Sequence, residues 1–261
     1  MRYDILNTVR ERLTVKNQNW LCVITGETGS GKSWTALKIG ALLDENFNID
    51  KVAFEPVDII PLIGTSEHGD IIVMDEAGIS FGARSFMSKH NRALSNIFQS
   101  FRYKQIGLIW TLPDASMIDV QARRLMHTFL ETMPIDYERG LTRVKWFDIY
   151  TDKWTGEYRH RYPRVNIPKY GQVVVKVVKF PKPPSYITDD YQIKKDEAFM
   201  HLLEESSEIL KDTAKKATRK KTERVIKTVD TAPIDNPHIK GDPIMEFYAK
   251  MAQKKKGSLE D

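Results

Sequence analysis

Eight consecutive residues, Gly26, Glu27, Thr28, Gly29, Ser30, Gly31, Lys32 and Ser33, carry the most specific chemistry in this sequence. They fit the pattern G-x-x-x-x-G-K-[ST]. They also stand between an apolar run, Leu21, Cys22, Val23 and Ile24, and a helix-like stretch over 34–39. Glycine is needed in such a loop because successive backbone N–H groups must turn inward around a polyphosphate, and a Cβ would obstruct the turn. The helix that follows points its positive N-terminal end at the same anion. In this reading Lys32 reaches the β- and γ-phosphates, the Ser33 hydroxyl ligates Mg²⁺, and Trp34 completes the nucleotide-binding stretch. A glycine-rich turn with an ordinary surface lysine is the bland alternative, and the flanking strand and helix weigh against it.

A second stretch brings carboxylates to the same place. Ile71, Ile72, Val73 and Met74 are followed directly by Asp75 and Glu76. A continuous apolar run fits a strand buried on both faces of a parallel sheet, and ligands of such sheets bind outside the carboxyl ends of the strands. Both acids therefore emerge at the edge where the phosphate loop lies. Asp75 is placed to hold the Mg²⁺ shell, and Glu76 to orient an attacking water toward the γ-phosphate. Alone, such a pair reads equally well as a solvated turn or a helix N-cap; the loop upstream favours catalysis.

The elements that must position these groups follow from periodicity. Residues 3–13 space as a helix, 20–25 as the first core strand, and 34–43 as the helix after the loop. Short strands are expected at 51–54 and 106–111, the latter ending in polar Thr111, with an ambiguous helix or turn over 56–63. A basic amphipathic helix is expected over 85–103. Ser116 and Asp119 form a capping box opening another helix, and 125–132 supplies a fifth strand. Residues 142–162 read as a hairpin turning at 151–157. Its aromatics and Lys/Arg suit a nucleic-acid surface, but equally an ordinary edge hairpin, which is the favoured reading. One more strand is expected at 173–178.

Composition bounds the rest. The 261 residues suffice for one α/β domain plus an appendage, here 1–180, a proline-rich connector at 181–188, and a charged, helical, partly flexible tail at 189–261. Net charge is +5, and all of it lies in 211–261, with 13 basic and 8 acidic residues. A basic tail of this kind is a solvated segment, a DNA-binding arm or a docking site for a protein partner; charge does not separate the three. With Cys22 as the single cysteine there is no intrachain disulfide. No run approaches a membrane span, so a cytoplasmic protein is expected.

Phosphate loop, Asp75-Glu76 strand end and a strand ending in Thr111 together resemble the additional-strand, catalytic-glutamate group of P-loop ATPases. More narrowly, they are similar to the FtsK–HerA superfamily, which includes virus-packaging and zonular-occludens-toxin-like ATPases. The resemblance covers 20–132. It implies an α/β fold with a mostly parallel sheet flanked by helices, ATP and Mg²⁺ as cofactors, and Thr111 as γ-phosphate sensor in place of the usual Gln. It also implies a homo-oligomer, commonly a hexameric ring, in which a neighbour's arginine completes the site. Arg102 is the favoured candidate among Arg84, Arg92, Arg102, Arg123 and Arg124. Toxin-like members carry a membrane span and this sequence shows none, which favours a motor that translocates or packages DNA. A nucleotide-gated assembly ATPase and, further off, a small-molecule kinase are the competing readings.

Overall fold

A computed structural model describes residues 4–55, 57–75, 103–118, 120–167 and 170–231. Glu76, Arg84, Arg92, Arg102 and Asp119, the helix expected over 85–103 and the tail beyond 231 lie outside the described residues.

Five strands form the parallel part of the sheet: β1 (Trp20–Thr25), β2 (Val52–Ala53), β3 (Ile71–Met74), β4 (Gly107–Thr111) and β5 (Thr128–Thr132). Their order across the sheet is β5-β1-β4-β3-β2, so β4 lies between the strand that enters the phosphate loop and the strand that ends at Asp75. Antiparallel strands extend the β5 side. These are β6 (Leu141–Thr151), β10 (Val177–Pro181), which pairs with the first half of β6, and β7 (Tyr158–Arg161), which pairs with its second half. The result is a mixed α/β domain around a mostly parallel central sheet.

Alternation along β1 shows why the sheet is covered on both faces. Trp20, Cys22 and Ile24 join one apolar cluster, with Leu6, Val9 and Leu13 of α1 (Asp4–Thr14) and Leu37 and Ile39 of α2 (Lys32–Leu43). Leu21 and Val23 join another with Ile72, Leu108 and Trp110, against which Leu62 and Ile63 of α3 (Ile59–Thr65) and Leu125 of α4 (Val120–Leu125) pack. A strand buried on both sides has no polar positions to spare, hence the unbroken apolar runs. Trp20 stacks on Trp146 with centroids 6.5 Å apart and donates its indole N–H to Thr128 Oγ1 at 2.9 Å, joining β1, β5 and β6. Cys22 is buried, and burial pushes its thiol well above the ordinary range, so it serves as a small hydrophobe.

The structure departs from the sequence reading in several places. The strand expected at 173–178 is two strands, β9 (Gly171–Val174), paired with β8 (Arg164–Ile167) in a separate ribbon, and β10 in the main sheet. The chain changes partners between them, the Val175 N–H going to Pro163 and the Lys176 carbonyl accepting from Trp146. Ser116 does not open a helix: Asp114 accepts from the Ser116 N–H at 2.6 Å and caps a single 3₁₀ turn at Ala115–Met117. The proline-rich connector is shorter than 181–188, because β10 includes Pro181 and α5 (Ser185–Thr231) begins at Ser185. The first compact unit, Met1–Ala198, therefore takes in the start of α5, whose Ile187, Thr188 and Tyr191 are buried. The second unit, Phe199–Asp261, is described as helix to Thr231, with Phe199, Leu203, Ile209 and Leu210 exposed.

A charged knot holds the entry of β3. The Asp44 carboxylate, just past α2, accepts from the Lys51 ammonium at 2.6 Å, the Ile71 N–H at 3.1 Å and the Asn46 N–H at 2.8 Å, and Lys51 also donates to Asp70 at 2.9 Å. Burial alone would lower the Lys51 pKa, but hydrogen bonds and charge from Asp44 and Asp70 outweigh it and raise the value. A raised folded-state pKa contributes stability that is complete below the unfolded value and is lost as pH climbs through the folded one. Lys51→Met should destabilise the domain by about 3 kcal/mol in urea unfolding near neutral pH, since it leaves two carboxylates without their cation. The gap between wild type and variant should shrink as pH climbs past the ordinary lysine range; a pH-independent gap would contradict the assignment.

Candidate functional site

Three parallel strands deliver the chemistry to one edge. Their registers place Ile24 beside Thr111 and Met74 beside Trp110, so the phosphate loop after β1, Asp75 after β3 and Thr111 at the end of β4 leave the sheet together. A hydrogen bond from the Leu112 N–H to the Ile24 carbonyl, at 2.9 Å, continues the pairing past the strand ends.

The loop has the conformation its glycines permit. Gly26, Gly29 and Gly31 take φ of 148°, 79° and 86°. A Cβ on Gly26 would stand 2.0 Å from Thr132 Oγ1, and one on Gly31 2.4 Å from Thr142 Cγ2; at Gly29 it would meet nothing within 4 Å. Gly26 and Gly31 are therefore required by both conformation and space, Gly29 by conformation alone. Gly31 precedes α2 with no side-chain cap, so the first amides of that helix face the loop. The buried Lys32 ammonium folds back under the loop, donating to the Gly26 carbonyl at 3.0 Å and the Glu27 carbonyl at 2.9 Å. Ser33 is half-buried one residue on, Trp34 carries the Lys182 ammonium 4.7 Å from its ring centroid, and Glu27, Thr28 and Gly29 are exposed.

Threonines and a serine brace the loop from below. Ser30 Oγ lies 2.6 Å from both the Glu27 carbonyl and Thr132 Oγ1, and Thr132 donates to the Thr25 carbonyl at 3.0 Å. Two hydroxyl protons serve at most two of these three contacts at once, so donation within the set is shared. Thr35 donates to the Gly31 carbonyl at 2.8 Å, and Thr142 to the Phe180 carbonyl at 3.2 Å. A cavity of about 450 Å³ opens beside the loop, between residues 26–30 and the segment after β5 that includes Met133, Pro134, Ile135 and Tyr137. Its volume lies in the range of small-molecule clefts. The Glu131–Lys145 ion pair, at 3.1 Å, also lines it.

Asp75 is fully buried, and each of its carboxylate oxygens takes a hydroxyl. Thr111 donates to Oδ1 at 2.6 Å and Tyr191, on α5, to Oδ2 at 2.5 Å. Its backbone N–H pairs with the Ala53 carbonyl of β2 at 2.9 Å. Thr111 thus stands at the strand end where a sensor was expected, with its hydroxyl engaged by Asp75. Among the described residues no cluster of three His, Cys, Asp or Glu could hold a metal by itself. A cation at this edge would depend on phosphate oxygens in addition to protein oxygens, as Mg²⁺ does. The donor set fits that role: a half-buried serine hydroxyl at the start of α2 and a carboxylate whose oxygens each keep one acceptor position.

Sequence reasoning missed Tyr191, Thr132 and Thr142. Tyr191 was assigned to the charged tail; the signal for it was the four-residue spacing from Ile187, which puts both on one helix face. Thr132 ends β5 as Thr111 ends β4, a polar residue closing an apolar strand. Thr142 carried no signal, because its contact with the Gly31 position depends on the antiparallel return of β6.

No family model matches the chain, and no curated protein matches it. Among solved structures it is similar to the N-terminal domain of zonular occludens toxin from Neisseria meningitidis, at 16% identity and a TM-score of 0.32, over 55% of this chain and 94% of that one. It is similar also to the KaiC-like protein PH0186 from Pyrococcus horikoshii OT3, at 11% identity and 0.34, over 63% and 90%. A third is the flagellar accessory protein FlaH from Methanocaldococcus jannaschii, at 13% and 0.33, over 64% and 95%. Overlaps this loose carry no weight of their own, and the reading of the site rests on its residues. Among the described residues no helix is long and apolar enough to cross a membrane.

The two kinds of glycine make a direct comparison possible. Gly29→Ala should cost about 1 kcal/mol in urea unfolding, the ordinary penalty for a left-handed alanine. Gly31→Ala should cost at least about twice as much, because its methyl must displace Thr142 as well. Equal costs would mean that the Thr142 contact does not constrain the loop.

Proposed function

We propose that this chain is an ATP hydrolase whose active centre is the phosphate loop, and that it works as an oligomeric motor moving or packaging DNA. The observation that carries the hydrolase reading is the placement of β4. It sets Asp75 one strand away from the loop and at the same sheet edge, where a triphosphate held by the loop would present its terminal phosphate. Backbone amides at the start of α2 and the Lys32 ammonium bind and orient the phosphates, Ser33 and Asp75 hold the cation, and Glu76, next in the chain, orients the attacking water. Thr111 reports on the γ-phosphate through the carboxylate it holds. Mg²⁺ held by Ser33 and Asp75 would supply positive charge to offset what develops on transfer.

The finer part of the reading, membership of the additional-strand, catalytic-glutamate group and within it of the FtsK–HerA superfamily, is supported by the strand order and by the motifs. A hexameric ring with Arg102 of a neighbour acting in trans follows from the same resemblance. DNA as cargo is supported by the +5 charge of residues 211–261. The β6–β7 hairpin is a weaker support, since Arg159 is paired within it to Asp152 at 3.6 Å and to Glu157 at 2.9 Å. A nucleotide-gated assembly ATPase is the second reading. What favours it is the direct bond between Asp75 and α5, which ties the cation site to an element continuing to Thr231.

Lys32→Ala should weaken ATP binding by about 100-fold or more, the scale of losing charge-assisted bonds to phosphate. Glu76→Gln should bind ATP normally and lose about 10²–10⁴-fold in turnover. Isothermal titration and phosphate release measure the two; equal loss of binding and turnover in Glu76→Gln would refute its role. Removing 211–261 should weaken binding to duplex DNA and flatten its dependence on salt. An unchanged salt slope would remove the tail from the DNA reading.

A further inference from the structure

The two hydroxyls on Asp75 come from elements of different kinds. Thr111 ends β4, which the sheet holds beside β3 through main-chain pairing. Tyr191 reaches the same carboxylate from α5, which is held at this edge by side chains. Its ring lies 5.7 Å from that of Phe54, just past β2. The Lys194 ammonium donates to the Ile49 carbonyl at 3.1 Å and the Val52 carbonyl at 2.7 Å, pinning the helix to the segment that enters β2. Ile187, one turn earlier, is 1% exposed.

We infer that Tyr191 is a positioning residue for the nucleotide site: its hydroxyl sets the orientation of the Asp75 carboxylate, and the seating of the first turns of α5 is thereby coupled to binding of a magnesium–nucleotide at the phosphate loop. The inference rests on the reading of that loop as a magnesium–nucleotide site. A carboxylate rotates in a broad, two-fold torsional well, so a single hydrogen bond leaves its orientation loose, whereas one on each oxygen fixes it. Removing one charge-assisted bond at a fully buried carboxylate is worth about 10–100-fold in any equilibrium that needs that orientation. Coupling is reciprocal. If a seated α5 orders Asp75 for the cation, then cation and nucleotide must favour a seated α5 by the same factor.

Tyr191→Phe removes the hydroxyl and keeps the ring against Phe54. The test uses the full chain and a fluorescent, non-hydrolysable ATP analogue, with affinity measured in Mg²⁺ and in EDTA, and amide hydrogen exchange followed over 187–195. In the wild type, Mg²⁺ should tighten binding, and the magnesium–analogue should slow exchange in 187–195. Tyr191→Phe should lose about tenfold or more of the Mg²⁺ enhancement, keep its affinity in EDTA, and show no slowing of exchange on binding. A purely packing role would lower the melting temperature without moving the ratio of the two affinities.

Lys194→Met loosens the helix without touching Asp75, and it decides the matter where Tyr191→Phe does not fold. It should raise exchange over 187–195 and reduce the Mg²⁺ enhancement. Full Mg²⁺ enhancement in folded Tyr191→Phe, or in Lys194→Met with raised exchange, overturns the inference and leaves the nucleotide reading intact. A wild type that binds the analogue with no response to Mg²⁺ overturns both.

Discussion

Asp75 has no exposed surface, yet it stands at the sheet edge where a cation and a triphosphate would be handled. Thr111 and Tyr191 each give it a hydroxyl, so neither carboxyl oxygen is buried without a partner. The rest of the arrangement serves that meeting. β4 must lie beside β3 to bring Thr111 alongside, β2 must pair with β3 to take the Asp75 amide, and α5 must dock on the segment entering β2 to bring Tyr191 in. The glycine loop comes to the same edge because β1 is the other neighbour of β4. A change of strand order at any of these points would separate carboxylate and loop.

Much of this was legible in the sequence, for a definable reason. Strands buried on both faces leave unbroken apolar runs, and such runs end where the chain leaves the sheet, so 21–24, 71–74 and 106–110 announced both their burial and the polar residues that follow at the sheet edge. The loop was legible because its geometry demands glycine at fixed places: at Gly26 and Gly31 no side chain fits against Thr132 and Thr142. Local rules carry that far. They fail where a contact joins residues distant in sequence. The hydroxyl–carboxylate bond between Tyr191 and Asp75 spans more than a hundred residues, and a charged helix start gives no local sign of it. The split of 173–178 into strands of two sheets depended on partners at Pro163 and Trp146, and the capping box at Ser116 lost to Asp114, which reaches the same amide from two residues earlier. Glu76 and Arg102 fall outside the described residues, so their roles rest on sequence and resemblance.

The site combines a rigid half with one that rests on side-chain docking. Loop, β1, β3 and β4 are joined by main-chain pairing and braced by hydroxyl contacts, which suits a cradle that must present its amides before a ligand arrives. The start of α5 is docked by Tyr191, Lys194 and Ile187. An element fixed in that way is the one whose position a ligand can most easily bias. A motor and an assembly switch both need such an element, and the same contact would serve either.

Hydrolysis at the phosphate loop is the central claim, and single-turnover release of phosphate from γ-labelled ATP tests it most directly, with the full chain in molar excess over nucleotide and Mg²⁺ present. The label should appear as free inorganic phosphate, at a rate that falls to background when Mg²⁺ is chelated. ATP left intact through many times that interval, or label recovered on an acceptor molecule instead of as free phosphate, would contradict it.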